Sequence, residues 1–157
     1  MKKWSKNQAK EWFSKQPWMV GCNFLPSSAI NQLEMFQSET FDSDTLKREV
    51  GWASQLGFNT LRVYLHDLLW QDDSVGFCRR LNHFLDICDH NKIRPILVLF
   101  DDCHRDDPML GIQPLPVAGV HNSGWKQSPG KILVDAINKD RATNNEIKQL
   151  KDFIQGV

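Results

Sequence analysis

The chain has 157 residues, with 19 basic against 19 acidic side chains, 41% apolar residues and 24% charged ones. That balance fits a globular fold and excludes a disordered, highly charged tail. Without an excess of cations to neutralise phosphates, no nucleic-acid partner is expected. No run approaches the roughly 18–20 apolar residues of a bilayer span, so no membrane partner is expected either. Lys2 and Lys3 lead into no apolar core and do not read as a secretory leader. The four cysteines, Cys22, Cys78, Cys88 and Cys103, form no CxxC pair. Cys78 and Cys88 fall on one predicted helix about 15 Å apart, too far for a disulfide. Reduced thiols predict a cytoplasmic protein. The bland reading of all four is small buried apolar residues.

In chain order, Trp4–Lys15 reads as a short amphipathic helix capped by Ser5 and ended by Gln16-Pro17. The apolar run Trp18–Phe24 reads as a strand, and Leu25–Ser28 as the loop leaving it. Ala29–Asp42 is polar and irregular, with Met35, Phe36 and Phe41 as anchors. Thr45–Leu56 is a helix whose Leu46, Val50, Ala53 and Leu56 share a face. Asp42 or Asp44 caps its start and Gly57 supplies its left-handed end. Asn59–Leu65 alternates strictly and reads as a strand. Ser74–Asn91 is a helix with Phe77, Leu81, Phe84, Leu85 and Cys88 on its buried stripe. Arg94–Phe100 is continuously apolar after its first residue, the mark of a strand buried on both faces. Asp101 to about Ala142 reads as one long loop, and Thr143–Ile154 as a last helix capped by Thr143 or Asn144. Strand–loop–helix therefore occurs three times, which predicts an α/β fold with parallel strands. Ligands of such folds bind at the carboxyl ends of the strands, where the long loops lie.

The chemistry-bearing residues gather at those ends. Arg62 and Tyr64 share the face of the second strand opposite Leu61, Val63 and Leu65. A mid-strand arginine either pairs structurally with another strand or holds a catalytic carboxylate ionised. His66 can carry a proton or bind a hydroxyl. Asp67 reads more simply as a cap. Asn23 can hold a ligand hydroxyl or satisfy its own turn. Asp101, Asp102 and His104 could serve a hard metal, though adjacent strand residues point to opposite faces. Asp106 and Asp107 read as solvated loop. In His121–Trp125, a loop indole among amides and hydroxyls suits the apolar face of a sugar ring, or else pins the loop. Gly111, Gly119, Gly124 and Gly130 match no phosphate-binding loop, and neither GxSxG nor HExxH occurs.

Several separated motifs together resemble a subgroup of the cellulase-like clan A glycoside hydrolases. They are WMVGCNFLPS at Trp18–Ser27, LEMFQ at Leu33–Gln37 and ETFD at Glu39–Asp42. They continue in LGFNTLRVYLHDLLW at Leu56–Trp70, VLFDDC at Val98–Cys103 and GVHNSGW at Gly119–Trp125. The resemblance spans nearly the whole chain. It implies a (β/α)8 barrel that cleaves β-glycosidic bonds with retention, without cofactor or resident metal. Two glutamates about 5–5.5 Å apart would do the chemistry, one as nucleophile and one as acid/base. Arg62 matches the arginine that supports the nucleophile. Asn23, Tyr64, His66, Trp70, Asp101, His121 and Trp125 fall where the family lines its sugar cleft. Phe36 stands where a Trp is expected.

The family's glutamates follow the fourth and seventh strands. Here Glu11, Glu34, Glu39, Glu49 and Glu146 all fall on predicted helices or in the first loop. A complete barrel also needs about 250 residues. The chain is therefore expected to be the amino-terminal part of one barrel domain, spanning residues 1–157, with three of eight strands and no catalytic carboxylate. Its open sheet edges predict association with the missing carboxyl-terminal part or with itself. The two alternatives are a non-catalytic carbohydrate-binding or assembly module, and a small metal-dependent hydrolase centred on Asp101, Asp102 and His104.

Overall fold

Alternation at Thr60–Tyr64 sets the architecture. In the computed structural model, which describes residues 3–104, 108–115, 118–119 and 124–157, this segment is the central strand of a parallel sheet. The elements run α1 (Lys6–Ser14), β1 (Gly21–Asn23), α2 (Gln32–Phe36), α3 (Ser43–Gln55), β2 (Thr60–Tyr64), α4 (Asp67–His90), β3 (Arg94–Val98), α5 (Lys131–Asn138) and α6 (Asn144–Gly156). The strands lie in the order β1-β2-β3 and are parallel throughout. The described residues thus form a mixed α/β fold of three strands and six helices.

One face of the sheet is packed. Leu61, Val63 and Leu65 are wholly buried against Leu46 and Val50 of α3 and Phe77, Phe84 and Cys88 of α4. Burial of this size is the main favourable term in folding. Phe36 of α2 joins the same core, stacked on Phe41 and edge-on to Phe77 and Phe84. α6 closes the far side through Phe153, whose ring meets Phe77, Phe100 and Trp70. Its start is a capping box, with Thr143 and Glu146 satisfying each other's backbone N–H groups.

The other face carries Asn23, Arg62 and Ile96 in one register row and Tyr64 beside Val98 in the next. No helix covers it among the described residues, and Arg62 and Ile96 are exposed. The expected double burial of Arg94–Phe100 is therefore not met. Alternate residues of β3 project from this face, which no helix covers among the described residues, and so stay open.

Four further differences from the sequence reading have local causes. β1 is shorter than Trp18–Phe24, because Trp18 and Val20 are tied instead by the Asn59 side chain, at 2.8 and 2.9 Å. α2 forms where an irregular segment was expected, capped by the Asn31 side chain accepting from the Glu34 N–H. α4 begins at Asp67, seven residues early, and breaks at Asp73, whose carboxylate accepts from the Gly76 N–H. The reading that started at Ser74 found only the second half. α5 occupies part of the expected long loop and has no side-chain cap.

The thiols are all free. Burial pushes the Cys88 thiol up to about 12, and partial burial also raises Cys22. A thiol reagent at about pH 8 is expected to modify exposed Cys22 and Cys103 in the native protein, and Cys88 only after unfolding. Equal reaction rates for all thiols in the native state would refute this packing.

Candidate functional site

The candidate site lies at the carboxyl ends of β2 and β3. Strand alternation puts Arg62 and Tyr64 on the open face. The Arg62 guanidinium lies 4.7 Å from the centre of the Tyr64 ring, a cation–π contact. Among the described residues, no carboxylate pairs with Arg62, so the structural ion pair to another strand is not formed. Burial raises the Tyr64 hydroxyl above the usual phenol value, against the pull of the Arg62 charge.

Trp125 meets Tyr64 edge-on at 4.7 Å, and the His104 ring lies 5.9 Å from both. Three rings and a guanidinium thus line one rim. The indole reaches it because Gly124 packs against Ile30, where a Cβ would sit 2.6 Å from the isoleucine side chain. Gln32 then grips the backbone of Lys126 on both sides, accepting its N–H and donating to its carbonyl.

Asp101 ends the third strand's run and bridges Ser128 through two backbone hydrogen bonds of 2.7 and 2.8 Å. Burial alone would raise its carboxyl. The Cys103 thiol and N–H, together with His104, outweigh that and hold it below the usual carboxylate value. This interaction stabilises the fold fully above the ordinary aspartate pKa of about 3.9 and is lost as pH falls through the lower folded value. Asp101 and His104 are in direct contact.

His66 and Asp67 face inward. His66 is wholly buried; its Nδ1 accepts the Leu68 N–H as the α4 cap and its Nε2 donates to the Gln127 carbonyl at 3.0 Å. The Asp67 carboxylate lies 3.1 Å from Nδ1. Ser128 donates to that carboxylate at 2.8 Å, and Gln71 donates to its other oxygen. The pair therefore joins α4 to the segment that carries Trp125.

The residues singled out from the sequence separate into groups. Arg62, Tyr64, Asp101 and Trp125 come together, and Asn23 joins them from β1, on the same face. His66 is an internal tie. Trp70 lies on the helical side against Phe153 and Gly156. Phe36 is core rather than rim. His121 lies outside the described residues, as do Asp106 and Asp107. The sequence reading missed Gln32, Ser128 and His104 as parts of the ring-bearing rim. A groove of about 470 Å³ between Leu25–Ile30 and Gln113–Leu115 adjoins the loop after β1, and its lining includes neither Arg62 nor Trp125.

Chemically the rim offers flat apolar surface, one cation and polar groups at the strand ends. None of the five glutamates ends a strand: Glu11, Glu34, Glu49 and Glu146 lie on helices and Glu39 in the turn after α2. No helix among the described residues is long and apolar enough to cross a membrane. Comparison with protein-family models, curated proteins and solved structures finds no match to this chain.

Proposed function

We propose that this chain is the amino-terminal part of a cellulase-like, retaining glycoside hydrolase. It supplies three βα units and part of the sugar-binding rim, and the catalytic glutamates come from elsewhere. The observation that carries this reading is Arg62. A guanidinium in mid-strand has no carboxylate partner among the described residues and lies exposed over the Tyr64 ring. Such a cation is costly to enclose unless a carboxylate meets it, and a nucleophilic glutamate across a closed barrel would do so. Successive parallel strands with one packed face, and with β1 and β3 unpaired on their outer sides among the described residues, support the same reading. Partly exposed Trp125, backed by buried Tyr64, offers aromatic surface to a pyranose, whose axial C–H groups stack on such rings.

The test is titration of the chain with β-1,4-linked gluco- and xylo-oligosaccharides, following the indole N–H resonances and aryl β-glycoside hydrolysis in parallel. A saturable shift of the Trp125 indole, absent from Trp125→Phe, is expected without turnover. Hydrolysis by the chain alone would overturn the reading, as would indoles that ignore every oligosaccharide. Binding by a monodisperse monomer in light scattering would favour the carbohydrate-binding module over an incomplete barrel.

A further inference from the structure

Three donors of different chemistry converge just after β3. Asp101, Cys103 and His104 each place one ligand-capable atom within 4.8 Å of the others. The Cys103 Sγ lies 3.0 Å from Asp101 Oδ1 and 3.8 Å from His104 Nδ1. Around a tetrahedral zinc ion, with bonds of about 2.0–2.3 Å, donor atoms sit about 3.4–3.6 Å apart. The two sulfur distances bracket that range. The Cys103–Asp101 hydrogen bond has to lengthen by about half an ångström to reach that tetrahedral spacing, and the Asp101–His104 contact has to open, as each hydrogen bond gives way to bonds to the ion.

The surroundings hold these donors in place. The backbone of Asp101 is pinned on both sides by Ser128. The His104 ring stacks on Trp125 at 28° and meets Tyr64 at 90°, which orients Nδ1 toward the carboxylate. Outer-shell contacts of this kind orient metal ligands. Asp102, which the sequence grouped with Asp101 and His104, is not in the cluster, and Cys103 takes its place. That replacement changes the chemistry. A thiolate and an imidazole disfavour hard magnesium or calcium and suit a borderline transition ion.

We propose that Asp101, Cys103 and His104 form a three-ligand site for a borderline divalent transition-metal ion, with zinc the first candidate and water the fourth ligand. On binding, the Cys103 S–H bond breaks and its proton leaves to solvent. His104 ligates through the Nδ1 lone pair, with its ring proton on Nε2. Thiolate and carboxylate then neutralise the ion's two positive charges. The bound ion staples the loop after β3 beneath the Tyr64–Trp125 rim. This site does not depend on the glycosidase reading.

Cobalt(II) titration of the reduced, full chain tests it. One equivalent is expected to give a thiolate-to-cobalt charge-transfer band and tetrahedral d–d bands, both bleached by zinc. Cys103→Ser should abolish the charge-transfer band. His104→Ala should weaken binding at least about tenfold. Cys22→Ser should leave the spectrum unchanged. Absence of the band in the unaltered chain overturns the proposal, as does its survival in Cys103→Ser or its loss in Cys22→Ser. Far-ultraviolet circular dichroism checks that each variant is folded. His104→Ala alters a partly exposed loop side chain and decides the case if Cys103→Ser fails to fold. Cobalt spectra and oligosaccharide-induced indole shifts are separate readouts, so either reading can fail alone.

Discussion

Phe36→Ala is expected to destabilise the chain by about 3–5 kcal/mol, the usual cost of emptying a fully buried phenylalanine site. Phe36 is wholly buried and touches three rings: Phe41 after α2, and Phe77 and Phe84 of α4. Few neighbours can collapse into the gap, because the same rings also pack under β2. With a total stability of about 5–15 kcal/mol, much of the population could unfold at ordinary temperature. Urea titration followed by circular dichroism reads the loss as a lower midpoint. Phe36→Trp, which introduces the ring that the resemblance leads one to expect, should also destabilise, by about 1–3 kcal/mol through overpacking. An unchanged midpoint in Phe36→Ala would mean that α2 does not dock as described.

Gly21→Ala is expected to peel β1 from the sheet. A Cβ there would lie 1.9 Å from the Thr60 carbonyl oxygen and 2.8 Å from its carbon. The clash is with backbone of the central strand, which is also tied to β3 by the Thr60 hydroxyl donating to the Arg94 carbonyl. The edge strand is therefore the part that yields. Hydrogen exchange should lose protection at the Phe24 N–H, which donates to the Arg62 carbonyl at 2.9 Å. Asn23 would leave its row beside Arg62, and oligosaccharide-induced shifts should weaken. Retained protection at Phe24 would refute the close approach of the two strands.

What the sequence made legible follows from periodicity. Leu61, Val63 and Leu65 alternate with Thr60, Arg62 and Tyr64, so both the strand and the side Arg62 takes were readable. The helix stripe of Leu46, Val50 and Ala53 was equally plain. The failures concern residues whose chemistry is satisfied at long range. Asn31 and Gln32 look like solvent-facing amides, yet both are wholly buried and bond Gln113 and Lys126 far along the chain. Amides interleaved with Leu33, Met35 and Phe36 were the available signal, since an apolar anchor drags its polar neighbours inward. His66 looked like site chemistry because its residue type says nothing about burial; its partner is a carbonyl 61 residues away. α5 escaped notice because Lys131–Asn138 is short, opens after Pro129-Gly130 and lacks a side-chain cap, although Ile132, Leu133, Ala136 and Ile137 do fall at helical spacing. Cys103 was read as a packing residue because the turn that brings its sulfur to Asp101 has no periodic signature.

The Asp101–Ser128 bridge has an evolutionary reading. Its paired hydrogen bonds clasp the two feet of the excursion between β3 and α5, so the feet stay put whatever its length. Doubling such an excursion adds only about 0.6 kcal/mol of closure entropy. Under the sugar-binding reading proposed above, insertions and deletions there would reshape what the rim accepts while leaving the sheet beneath untouched, which makes this stretch a natural place for new specificities to arise.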